Sequence, residues 1–125
     1  MTLEPRTILV TGGAGFIGSH FVRKLLSESD VREVIVLDSL TYAGNLENLS
    51  DFVSDSRFRF VNGDICDLPL VRNLTQEITH IVNFAAESHV DRSILSGGEF
   101  VLANVLGTQN LINAARLNKC EKFVH

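Results

Sequence analysis

The sequence predicts an α/β chain folded as a doubly wound parallel sheet. Three observations predict it. Short apolar runs rich in valine and isoleucine alternate with stretches of helical period along the chain, the pattern that builds a parallel sheet through right-handed crossovers. The first run, Ile8-Leu9-Val10-Thr11, ends in the glycine cluster Gly12-Gly13-Ala14-Gly15-Phe16-Ile17-Gly18, and a helical pattern starts at once. The second run, Glu33-Val34-Ile35-Val36-Leu37, ends in a single acid, Asp38. The expected strand order is 3-2-1-4-5, with a ligand site at the carboxyl ends of strands one and four, where the winding reverses.

The elements follow in order. Strand one is about Thr7 to Thr11. The first helix is expected from Phe16 to Ser29, with Ile17, Phe21 and Leu25 on one apolar stripe and Ser29-Asp30 closing it. Strand two ends at Asp38. Between Ser39 and Asp55, Thr41 to Asn45 reads as a loop, and Leu46, Leu49, Phe52 and Val53 suggest a short helix. Strand three is Phe58 to Asn62, stopped by Gly63-Asp64. Asp67 can cap a helix from Leu68 to about Glu77, with Pro69 tolerated in its first turn. His80 to Ala85 is nearly all apolar, as a central parallel strand should be. Glu87 to Gly98 reads as a polar loop with one helical turn around Val90 to Leu95. A long helix follows from Glu99 to Leu117, with Val101, Val105, Thr108, Ile112 and Ala115 on one face joined by Leu111, and Asn118 as its stop. Glu121 to His125 opens a fifth strand. That strand stops without a turn or polar tail, so residues 1–125 are expected to be the N-terminal part of a larger protein, with the rest of the sheet and a substrate domain outside them.

Composition bounds the function classes. With 125 residues, 45% of them hydrophobic, the chain suits one globular domain. A net charge of −4 without a basic stripe argues against nucleic acid or a membrane surface as partner. No apolar run reaches membrane-spanning length, and Met1-Thr2-Leu3-Glu4-Pro5 has no signal-peptide core. Cys66 and Cys120 fit no metal or redox spacing and read as buried thiols of a cytoplasmic protein.

The glycine cluster carries the chemistry. Gly13, Gly15 and Gly18 fit G-x-G-x-x-G, and Gly12, Gly15 and Gly18 fit a looser repeat. Without side chains such a turn reverses sharply and lets main-chain N–H groups approach a phosphate, while the helix start adds unpaired donors and partial positive charge. Asp38 stands twenty residues after Gly18, where an acid takes ribose hydroxyls. Ser39, Leu40 and Thr41 follow it, none of them basic, so a 2′-phosphate would meet a carboxylate and no guanidinium. The expected cofactor is therefore NAD rather than NADP.

Three further stretches point to a family. They are Leu37-Asp38-Ser39-Leu40-Thr41-Tyr42-Ala43-Gly44-Asn45-Leu46-Glu47-Asn48-Leu49, then Gly63-Asp64-Ile65-Cys66-Asp67, then Phe84-Ala85-Ala86-Glu87-Ser88-His89-Val90-Asp91-Arg92-Ser93-Ile94. With Thr11 to Gly18 they closely resemble the dTDP-glucose 4,6-dehydratases, extended short-chain dehydrogenase/reductases that act on nucleotide sugars, from Ile8 to His125. The resemblance implies a Rossmann domain that binds NAD, and a homodimer packed through helices, the one ending near Leu117 among them. It implies main-chain contacts from Phe16 and Ile17 to the pyrophosphate, with Asp38, Ser39, Leu40 and Thr41 at the adenosine ribose. It also implies Asp64 at the adenine amine, with Ile65 covering the ring, and Phe84, Ala85, Ala86 and Glu87 along the middle of the cofactor. Ser88 falls between the nicotinamide and the sugar, and His89 beside the substrate pocket. On the residues alone, Asp64 reads equally as a turn aspartate after glycine, and Asp91 with Arg92 as an ion pair holding a loop. The sequence departs from the family's usual lysine at Ser39 and usual threonine at Ala103.

The family reaction is an internal redox cycle: hydride leaves C4 of the glucosyl group, water is lost across C5 and C6, and hydride returns to C6. The family's Thr-Asp-Glu stretch and Tyr-x-x-x-Lys pair lie beyond strand five. The only tyrosine here is Tyr42, with no lysine four residues on, so this chain is expected to hold no catalytic residue. The alternatives are a non-catalytic NAD-binding module and another sugar-nucleotide enzyme, an epimerase or decarboxylase.

Overall fold

The computed structural model describes residues 5–40, 44–85 and 102–125, except for the side chains of 102–104. Five strands form one parallel sheet in the order β3-β2-β1-β4-β5. They are β1 (Arg6–Thr11), β2 (Val31–Asp38), β3 (Phe58–Asn62), β4 (His80–Asn83) and β5 (Lys122–Val124). The helices are α1 (Phe16–Leu26), α2 (Leu68–Leu74) and α3 (Thr108–Leu117). A 3₁₀ segment covers Leu46–Phe52, and a π-helical turn, Leu102–Gly107, leads into α3.

The period of two along the strands assigns each apolar side chain to one of two cores. Ile8, Val10, Val34 and Val36 meet Val22, Leu25, Leu49 and Phe52 on one face. Leu9, Ile35, Leu37 and Ile81 meet Val71, Leu74, Leu111, Ala114 and Ala115 on the other. Strands buried on both sides explain why β1 and β2 read as continuous apolar runs.

Local signals place several ends. Asp67 accepts the Leu70 N–H at 3.2 Å as the α2 cap, with Pro69 in the first turn. Asn118 ends α3, Lys119 turns left-handed at φ 54°, and the Cys120 N–H returns to the Ala115 carbonyl at 2.9 Å. This is a Schellman ending with lysine in the usual glycine position.

Other expectations need correction. Helix α1 stops at Leu26, where Ser27 takes the cap, because Asp30 is drawn to Arg6 at the foot of β1 and β2 starts at Val31. Helix α2 stops at Leu74: the Thr75 hydroxyl donates to the Val71 carbonyl and accepts from Asn118, which breaks the helical run. Strand β4 ends at Asn83, two residues early. The buried stripe of α1 is Gly18, Val22 and Leu25, while Ile17 is 68% exposed. On α3, Leu111, Ala114 and Ala115 face the sheet, whereas Ile112, and Val105 in the turn before it, are exposed. The helical period is right in both; the phase is set by where a close contact is needed, at Gly18 on the glycine turn and at Gly107 on Ile65. The expected turn at 90–95 and the start of the long helix at Glu99 lie outside the described residues. Among those described, no helix is long and apolar enough to cross a membrane, and Cys66 and Cys120 form no disulfide.

Candidate functional site

The carboxyl ends of β1, β2 and β4 converge on the glycine turn. Gly12 has φ 71°, and a methyl group there would stand 2.6 Å from the Ala85 nitrogen and 2.6 Å from the Phe84 carbonyl carbon. Glycine is thus required twice, for the backbone and for the approach of the β4 exit. The Gly12 N–H reaches the Leu37 carbonyl at 2.9 Å, which ties the turn to β2. Gly18 packs so closely on the Gly12 carbonyl that any side chain would collide with it.

Gly15 differs. Among the described residues, a methyl group there would meet only the Gly12 oxygen, at an ordinary 3.4 Å. Packing among the described residues does not demand glycine at this position, and the lack of a side chain leaves room for an approaching group. Gly15 is also the N-cap of α1, and no side chain caps the helix. The first-turn N–H groups and the positive end of the helix dipole face that space, an arrangement that suits an anion. The residues present therefore fit a diphosphate.

Asp38, at the end of β2, is 8% exposed. One carboxylate oxygen accepts the Ala14 N–H at 2.9 Å and the other the Leu40 N–H at 2.8 Å. The second bond holds Leu40 at φ 56°. Gly44 lies against the same carboxylate; a methyl group there would come within 2.7 Å of it. Ala14 is a hub: its carbonyl accepts from the Asn45 N–H at 3.1 Å and the Asn48 side chain at 2.8 Å. The Gly44–Asn48 segment is in this way strapped across the turn.

Beyond β3, Asp64 accepts the Cys66 N–H at 2.8 Å, which makes it the turn aspartate of its own loop. Burial, with Asp64 beside it, pushes the Cys66 thiol up, so the sulfur is held as a neutral thiol. Ile65 is 5% exposed and packs in the core beneath Gly107, while its carbonyl accepts from Asn110 at 3.0 Å. That placement leaves Ile65 only a small exposed surface. The Phe84 ring packs 5.5 Å from that of Phe21 on α1. What Phe84 and Ala85 bring to the glycine turn is main chain.

Gly12, Gly15, Phe16, Ile17, Gly18, Asp38, Leu40, Phe84 and Ala85 thus gather at one end of the sheet, with exposed Ser39 next to Asp38. Thr41, Ala86, Glu87, Ser88 and His89 lie outside the described residues. Sequence reasoning missed Ala14, Asn45, Asn48 and a buried pair, Thr11 and Asn83, joined at 2.5 Å. Each of that pair is a polar residue closing an apolar run at the carboxyl end of its strand, which is the signal that could have found them.

A glycine turn opening a helix at the switch point of this sheet, with an acid ending the neighbouring strand, defines a dinucleotide-binding α/β domain. Known proteins narrow the class. The profile of the GDP-mannose 4,6 dehydratase family matches residues 9–125, and the chain belongs to that family. It is 50% identical over 123 residues to a dTDP-glucose 4,6-dehydratase of Actinoplanes sp., covering 94% of this chain and 38% of that protein. It is 54% identical over 117 residues to the low-salt glycan biosynthesis protein Agl12 of Haloferax volcanii, covering 94% and 37%. Among solved structures, the dTDP-glucose 4,6-dehydratase DesIV of Streptomyces venezuelae, with NAD and TYD bound, superposes with a TM-score of 0.90 at 53% identity, covering 95% of this chain and 38% of that one. The chain therefore spans somewhat over a third of the length of these relatives.

Proposed function

We propose that this chain is the cofactor-binding part of an NAD-dependent dehydratase that converts dTDP-glucose to dTDP-4-keto-6-deoxy-glucose. The observation that carries the reading is Gly15, which meets only the Gly12 oxygen among the described residues, before a helix start with no side-chain cap and with Asp38 beside it. The identity to dTDP-glucose 4,6-dehydratases supports the substrate.

NAD, when bound, supplies the acceptor and then the donor of hydride for an internal redox dehydration. The chain's own residues bind and orient. Main-chain N–H groups of Phe16 and Ile17 hold the pyrophosphate, and Gly12, Gly15 and Gly18 allow it close. The Asp38 carboxylate accepts from ribose hydroxyls on lone pairs that Ala14 and Leu40 leave over. With Ser39, Leu40 and Thr41 next to it, that carboxylate favours NAD over NADP. Asp64 and the main chain of Ile65 border the adenine. Phe84 and Ala85 pass the middle of the cofactor. The same reading assigns Ala86 and Glu87 to the middle of the cofactor, Ser88 to the nicotinamide end and the sugar, and His89 to the substrate. In this reading the proton-transferring groups lie outside residues 1–125. The reading includes the cytoplasm as compartment and a homodimer packed through α3, whose Ile112 and Leu117 are exposed along with Val105 in the turn before it.

The test uses the intact gene product. We expect it to bind NAD⁺, to convert dTDP-glucose to a product with the alkali-induced absorbance of a 4-keto-6-deoxy sugar, and to run as a dimer by light scattering. Gly15→Val should keep the helix yet lower NAD⁺ affinity at least about tenfold. NAD⁺ binding without product would favour a non-catalytic module. A C4 epimer seen by NMR would favour an epimerase.

A further inference from the structure

We infer that Asn83 is a positioning residue: its amide holds the main chain of Phe84 and Ala85 against the glycine turn and thereby sets the affinity for the nicotinamide half of the cofactor. The inference rests on the NAD-binding reading above.

Asn83 and Thr11 are register partners at the carboxyl ends of β4 and β1. Asn83 is 6% exposed and Thr11 fully buried. The Asn83 Oδ1 accepts twice, from the Thr11 hydroxyl at 2.5 Å and from the Ala85 N–H at 3.0 Å. A main-chain N–H can only donate, so this second bond fixes which way the amide faces. The Nδ2 then donates to the Thr108 hydroxyl at 3.4 Å and to His125 Nδ1 at 3.0 Å. Two acceptor and two donor positions are filled within the protein, which leaves this amide none for a ligand. Its work is to join four chain segments: the ends of β1 and β4, the start of α3, and the residue after β5.

The joint sits one peptide from the closest approach in the site. The Ala85 nitrogen that Asn83 holds is the atom 2.6 Å from where a Gly12 methyl would stand. Phe84 is tied by its own N–H to the Thr11 carbonyl at 2.8 Å, so the β4 exit is pinned at two successive peptides. From there the chain runs toward Ala86, Glu87 and Ser88. The ties at Asp38 belong to other segments, Ala14 and Leu40. Loosening the Asn83 joint therefore moves the β4 exit and leaves the adenosine end in place.

The test compares two ligands by calorimetric titration of the intact gene product: NAD⁺, and ADP, which carries the adenosine and pyrophosphate alone. Asn83→Ala should weaken NAD⁺ about tenfold while ADP stays within about twofold. Thr11→Val, which exchanges a hydroxyl for a methyl of similar size, should act in the same direction with about a threefold loss. It decides the matter if Asn83→Ala does not fold. Equal losses for NAD⁺ and ADP, or no loss for NAD⁺, overturn the inference and leave the NAD reading standing. A wild-type protein that binds neither ligand overturns both.

Discussion

The two flanks of the glycine turn are held by different chemical groups. On the β2 side the holder is the Asp38 carboxylate; on the β4 side it is the Asn83 amide. Both are nearly buried, and both bond to main chain near the turn. A carboxylate has about four acceptor positions and no donor. Two are taken by Ala14 and Leu40, and the others can receive hydroxyls from outside. The amide mixes donors and acceptors, and its neighbours take them all. In the proposed reading one flank both supports the turn and presents chemistry to the cofactor, whereas the other only supports. A residue's lone-pair and donor count, set against its partners, separates a binding group from a positioning one.

The harshest way to break this comparison is to remove the turn that both flanks hold. Gly12→Ala combines a left-handed φ of 71° with a collision against the Phe84–Ala85 main chain. It should cost about 3 kcal/mol or more in a urea titration, and NAD⁺ and ADP binding should be lost together. Full stability would show that the turn tolerates a different path.

A finer cut is Asp38→Asn. The amide can present its one oxygen to Ala14 or to Leu40, and its NH₂ then faces the other N–H. Leaving that donor unsatisfied should cost about 1–3 kcal/mol in the same titration. NAD⁺ and ADP should weaken in parallel, in contrast to the selective loss expected at Asn83. If the two ligands separate here as well, the division of labour between the flanks is wrong.

The mildest test uses the far end of β1 as a control. Hydrogen bonds from the Arg6 guanidinium at 2.7 and 2.8 Å hold the Asp30 carboxyl below the ordinary carboxylate range. A carboxyl whose folded pKa is depressed adds stability that is complete above its unfolded pKa and fades as pH falls through the folded one. The melting temperature should therefore drop on acidification from about pH 5 to about pH 3, and less in Arg6→Ala. The effect should be small, because the pair is partly exposed to solvent. At neutral pH, Arg6→Ala should leave NAD⁺ affinity unchanged, since the pair lies at the opposite end of the strand from the glycine turn.

The fold was legible because its signals are local. The apolar runs, the glycine turn, the Asp67 cap and the Asn118 stop each depend on residues within a few positions of one another. The site was legible in part. Gly12, Gly18 and Asp38 were visible by spacing, and they occupy the places that spacing implied. The resemblance put Ile65 against the adenine, and only the structure shows that Gly107, some forty residues on, gives it a buried seat. Ile17, Val105 and Ile112 looked like core positions on a helical stripe and are exposed. Periodicity gives a helix its apolar angle but not its rotation, and close contacts at Gly18 and Gly107 decide that rotation.

By itself, then, the sequence determined the strand order, the phosphate-competent turn and the acid at its side, because alternation, glycine and chain direction act over short range. Only the tertiary structure decided which polar groups are used up and which remain available. Asn83 has its partners at Thr11, Ala85, Thr108 and His125, and Asp38 has its own at Ala14 and Leu40. Most of these are far apart in the chain, and a hydrogen bond acts only once folding has brought its two ends within about 3 Å.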